Sequence, residues 1–190
     1  MSTESLFLHI NKLFDAIERC IEHKLELPTL ILIYSGIDIA GWLAALESES
    51  TVRENFTKWV DQYINPEANL GCSALDLYSA RCAILHTYTP DSRLTDRGKA
   101  NQIAYAWGDA ILSDLRDSIG RSGWNSLVAV HLSDLFRKYK AGMIEFIREA
   151  SEDPSSAPLF AERSKKVFSN LSKEEIKEYL DDSDRNNMGA

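Results

Sequence analysis

Near the start of the chain, apolar residues recur at three- and four-residue spacing: Leu6, Phe7, Ile10, Leu13, Phe14, Ile17 and Ile21. That spacing places them on one face and predicts a first amphipathic helix. Pro28 suits the first turn of the next helix, where its missing N–H has no bond to lose. From about Leu30 to Leu46 the chain is apolar nearly all round, interrupted by Ser35, Gly36 and Asp38. This predicts a central helix packed between others. Thr51-Val52-Arg53-Glu54 is a capping-box pattern opening a third helix, with Val52, Phe56, Trp59, Val60 and Tyr63 on its apolar side. Pro66, Asn69 and Gly71 punctuate the chain. Ser73 is the expected N-cap of a fourth helix, about Ala74 to Tyr88, halted before Pro90.

Beyond Pro90 the pattern changes. Asp91 to Lys99 is polar and turn-like, and Gln102 to Trp107 alternates, with Ile103, Tyr105 and Trp107 on one side. The alternation allows one short strand or hairpin near 102–107. Gly120, Gly123 and the residues between predict a loop. A long helix is expected from about Ser126 to Glu149, using Leu127, Val130, Leu135, Tyr139, Met143, Phe146 and Ile147. Asp153 to Pro158 looks like a linker. A second capping box, Ser172-Lys173-Glu174-Glu175, predicts a terminal helix to about Leu180, followed by a frayed polar tail. The fold class is thus all-α, an up-and-down helical bundle over residues 1–153 with a helical appendage at 154–190.

Composition narrows the function. The cysteines, Cys20, Cys72 and Cys82, are odd in number and show no C-x-x-C spacing, so neither a zinc site nor a disulfide framework is expected. His9, His23 and His131 show no metal spacing with them. No metal and no cofactor is therefore expected. No signal sequence opens the chain and no apolar run reads as a membrane span, so a cytoplasmic location without membrane attachment is expected. The net charge is −8. Residues 1–70 hold five Lys or Arg against eleven Asp or Glu, whereas residues 71–110 balance at four against four. No basic stripe marks tight nonspecific nucleic-acid binding, but the balanced segment leaves room for a local anion site.

That segment contains the fourth helix. At 100° per residue, Leu75, Leu77, Tyr78, Cys82, Ile84, Leu85 and Tyr88 fill one broad arc. Arg81 falls near its middle, and His86 lies at its edge beside Ser79. A guanidinium keeps its proton, so burial without a partner costs several kcal/mol. Asp38, equally misplaced on an apolar helix, is the expected partner. Such a pair either locks two helices in register or presents Arg81 to a phosphate, with His86 as the proton-transfer group. Arg81 and His86 are separated by roughly 140° about the helix axis and are not expected to form one patch alone.

The run Asp76-Leu77-Tyr78-Ser79-Ala80-Arg81-Cys82-Ala83-Ile84-Leu85-His86 resembles the R-x4-H core of the HEPN superfamily. Ile37-Asp38 on an apolar helix and the Phe56, Trp59, Val60, Tyr63 face also resemble features of HEPN-like bacterial proteins. The resemblance covers about residues 5–90. It implies a homodimer whose composite site cleaves RNA without metal, the ribose 2′-hydroxyl attacking the adjacent phosphate. It implies catalytic roles for Arg81 and His86, supported by Asp38, Tyr78, Ser79 and Cys82. It further implies a toxin–antitoxin or phage-defence setting, with an antitoxin or regulatory protein as partner. Cys82 stands where active members usually carry a small polar residue. The competing expectation is a non-catalytic dimerisation or protein-binding scaffold in which Arg81 is structural. Tyr105 and Trp107 are either base-stacking residues or a strand packed on the helices.

Overall fold

The computed structural model describes residues 3–45, 50–66 and 69–167. Eight helices and two strands follow one another among these residues: α1 (Thr3–Glu22), α2 (Glu26–Ala44), α3 (Val52–Trp59), α4 (Ala74–Thr87), α5 (Arg93–Asp96), β1 (Gln102–Ala106), α6 (Leu112–Ser122), β2 (Leu127–His131), α7 (Leu132–Glu152) and α8 (Ala157–Ser164). A helical bundle with a small sheet is the result, in line with the pattern of apolar positions.

The N-terminal predictions hold closely. In α1, Leu6, Ile10, Phe14 and Ile17 are buried, while Phe7 stays exposed. Its apolar stripe leads into α2, the central element, which packs against α1, α3, α4, α7 and α8. By length and composition α2 could cross a membrane, yet half of it is buried within the bundle, as a core helix requires. The Thr51 capping box forms as the sequence predicts, the Thr51 hydroxyl accepting from the Glu54 N–H and Glu54 accepting from the Thr51 N–H. After Trp59 the backbone continues through one π-helical stretch, Val60–Ile64. The close approach of α7 there depends on Gly142: a Cβ at that position would sit 2.5 Å from the Tyr63 carbonyl oxygen. At Gly36 the same logic applies, since a Cβ would overlap the Tyr139 hydroxyl.

The second half departs from the expected layout. The strand at 102–106 exists, but its partner is Leu127–His131, and the two run parallel with Gln102 opposite Leu127 and Ala106 opposite His131. Parallel neighbours need a crossover connection, and α6 supplies it. Gly120 therefore lies inside a helix rather than a loop, while Leu127 and Val130 belong to a strand. The long helix starts only at Leu132; Leu135, Tyr139, Met143, Phe146 and Ile147 are buried on it as the periodicity predicts. At the expected linker, Asp153 accepts bonds from the N–H and hydroxyl of Ser155 in a tight turn. The chain then folds back as α8, whose Phe160 enters the core. The helix predicted from Ser172 and the polar tail lie outside the described residues.

Candidate functional site

α4 is fixed before any functional side chain is placed. Ser73 caps it, the hydroxyl accepting from the Asp76 N–H while the Asp76 carboxylate accepts from the Ser73 N–H. Buried Asp76 also accepts from the Asn101 N–H at 2.6 Å, which ties the start of α4 to the start of β1. Tyr34, wholly buried on α2, shares a short hydrogen bond with Tyr105 of β1. The Tyr105 hydroxyl is thereby committed to the interior rather than to a ligand.

Arg81 reaches from α4 to α2. Its Nε donates to Asp38 Oδ2 at 2.8 Å and its Nη2 to the same oxygen at 2.5 Å. The side chains are 15% and 20% exposed, so the pair is largely, not wholly, withdrawn from water. The expected Asp38–Arg81 contact is therefore present, though not as a two-oxygen fork: Asp38 Oδ1 is buried without a partner among the described residues. Burial is the dominant influence on Asp38 and raises its carboxyl above the ordinary aspartate range, against the opposing pull of Arg81. The same carboxylate, by hydrogen bond and charge, holds Arg81 firmly protonated despite burial.

The remaining guanidinium nitrogen turns outward. Arg81 Nη1 lies 3.3 Å from His86 Nε2 and 4.0 Å from Cys82 Sγ. A guanidinium only donates, so a hydrogen bond across this distance requires His86 Nε2 to accept. Arg81 and His86 thus meet within one chain, which corrects the expectation that their roughly 140° separation about the helix axis would keep them from forming one patch alone. The long arginine stem crosses that angle. His86 itself is exposed, on the last turn of α4.

Tyr78 forms the floor of this arrangement. The Arg81 guanidinium carbon lies 5.9 Å from its ring centroid, and Phe56 packs edge-on to it at 5.5 Å. Burial, reinforced by the neighbouring Cys82 thiol, raises the Tyr78 phenol above its usual value. Ser79 goes elsewhere. Fully buried, it meets the Ser92 hydroxyl at 2.5 Å, and Ser92 caps α5. Asp38, Tyr78, Arg81, Cys82 and His86 thus converge, while Ser79 anchors the following segment. The sequence reads Asp91 to Lys99 as a polar turn with no part in the site; the structure instead forms the short helix α5 within it, capped by Ser92.

Among the described residues no cluster of three or more His, Cys, Asp or Glu side chains could hold a metal ion. A cavity of about 690 Å³ opens between α2, α3, α7 and α8, lined by residues such as Trp59, Tyr63 and Phe160. Neither Arg81 nor His86 lines it. No family model, no curated protein and no solved structure matches the chain.

Proposed function

We propose that the chain is a HEPN-like, metal-independent endoribonuclease. It acts as a homodimer in the cytoplasm, within a toxin–antitoxin or phage-defence system whose antitoxin or regulatory protein restrains it. One observation carries this reading: an exposed His86 in contact with an arginine that Asp38 holds in place. The chemistry needs three things: a proton acceptor for the ribose 2′-hydroxyl, positive charge at the phosphate, and access for a long chain. His86 Nε2 supplies the first once an incoming phosphate draws Arg81 Nη1 away from it. Arg81 supplies the second, stabilising the extra negative charge as the 2′-oxygen bonds to phosphorus. The P–O5′ bond then breaks, leaving a 2′,3′-cyclic phosphate and a 5′-hydroxyl, and the 5′-oxygen takes up a proton. A second protomer would add a second His86, so that one imidazole accepts while the other donates.

The scaffold reading retains one observation of its own. The Asp38–Arg81 pair is mostly buried and joins two core helices, which is also what a purely structural pair does. Metal-free cleavage of a mixed RNA pool separates the two. Wild type is expected to cleave in the presence of EDTA, and His86→Ala to lose about 10²–10⁴ in rate. Because His86 is exposed, its loss should change stability by no more than about 0.5 kcal/mol, checked by chemical denaturation. A folded wild type that leaves the pool intact returns the argument to the scaffold.

A further inference from the structure

Helix α4 ends at Tyr88, which adopts φ 54° and ψ 27°, the left-handed conformation. A helix terminus often needs this geometry, and glycine or asparagine provides it at least cost. Here a bulky aromatic occupies the position, and it recovers nothing by burial, being 68% exposed. Lys24, two residues beyond α1, has a similar φ of 55°, but a charged side chain gains from exposure and a phenol ring does not. The turn is also held firmly. Thr87 Oγ1 bonds to the Ala83 carbonyl at 2.8 Å and lies 2.7 Å from Thr89 Oγ1. Asp91 accepts from Gln102 at 2.9 Å, and the Ser79–Ser92 contact pins the start of α5 against α4. A strained, rigid turn thus presents a free aromatic ring two residues beyond His86.

The chain that follows carries cations. Arg93, Arg97 and Lys99 are all exposed, and none takes part in an ion pair among the described residues. This occurs within the one charge-balanced stretch of an otherwise acidic protein. An exposed aromatic followed by unpaired cations is the arrangement that binds single strands: the ring stacks on a base and the cations track the phosphates.

We infer that Tyr88 is a base-stacking residue and that Arg93, Arg97 and Lys99 continue its binding track, so that single-stranded RNA is held with an unstacked base beside the Arg81–His86 pair. The inference rests on the ribonuclease reading, and its test is kept apart from cleavage. The probe is a labelled 2′-O-methyl oligoribonucleotide of about ten nucleotides, within the site sizes such tracks cover. It lacks the attacking hydroxyl and cannot be cut. Binding is read by fluorescence anisotropy at several salt concentrations with the full chain.

Tyr88→Asn removes the ring while keeping a residue that tolerates the left-handed backbone, so it should fold at least as well as wild type. It is expected to weaken binding about tenfold, whereas Tyr88→Phe stays within about twofold. Replacing Arg93, Arg97 and Lys99 together by Gln should flatten the salt dependence by roughly two units of slope. Equal binding by wild type and Tyr88→Asn overturns the inference, as does absence of probe binding by wild type. Failure of the underlying reading shows separately, as RNA cleavage indifferent to His86→Ala.

Discussion

Two guanidinium nitrogens rest on a single oxygen of Asp38, leaving the other oxygen buried and unpaired. An ion pair arranged this way is not an efficient stabiliser, because the desolvation of the carboxylate is only partly offset. The direction of the Asp38 shift expresses that balance. Its carboxyl is raised, so the folded protein takes up the proton more readily than the unfolded chain does. The Asp38 contribution to stability is then fully present below the ordinary aspartate range and is lost as pH rises through the raised value. Comparing wild type with Asp38→Asn by urea denaturation isolates it. The stability difference in favour of wild type should grow as pH falls from neutral into the acid range. A conventional salt bridge gives the opposite slope, so a difference that shrinks on acidification would mean that Arg81 outweighs burial. The pairing itself was legible because each partner violated the pattern of its own helix. What the helical wheel concealed was reach: it locates Cα positions, whereas the arginine stem carries its charge across to His86.

At the scale of elements, the capping box of α4 has a second task. Ser73 and Asp76 exchange bonds in a capping box, and a lost cap of this kind costs about 1 kcal/mol. Asp76, 3% exposed, additionally accepts from the backbone N–H of Asn101. Ser73→Ala should therefore cost about 1 kcal/mol, and Asp76→Ala about 2–3 kcal/mol, because the latter also removes the acceptor of the half-buried Asn101 N–H. Equal losses in chemical denaturation would show that the link from α4 to β1 carries no weight. Elements with long, regular periodicity, namely α1 to α4 and most of α7, could be read from sequence. The run Leu127-Val128-Ala129-Val130 could not, since a short apolar run fits a buried strand and a helix start equally well. Its β-branched valines were the available hint. Leu112, Leu115 and Ile119, at i, i+3 and i+7, likewise signal α6, but the glycines at 120 and 123 drew attention to a loop instead.

Across the whole molecule, stability should be uneven in a way that follows these elements. The bundle has its centre on α2, with Trp59, Tyr34, Tyr139 and Phe160 each less than 2% exposed or nearly so. In α6 no residue is fully buried; Leu112, Leu115 and Ile119 are half-covered, and Ile111 just before it is 62% exposed. Its main contact is with β2, so the helix can detach without opening the bundle. Local opening of this kind costs less than global unfolding wherever few apolar contacts are lost. Hydrogen exchange followed by mass spectrometry should find the amides of α6 exchanging at least about tenfold faster than those of α2 and α7, a difference of about 1.4 kcal/mol in opening free energy. β1 and β2 should be intermediate, because Ala106, Ala129 and Val130 are buried and each strand has a partner. Protection of α6 equal to that of α2 would mean that the crossover and the bundle open as one unit, and that the exposed side of α6 is covered by something other than the residues described. The Arg81–His86 pair lies on the bundle side of this division, away from α6. α4 packs on α2 and α3 and is tied at its start by buried Asp76, so the proposed site is carried by a helix of the bundle, as positioning two groups against one phosphate requires.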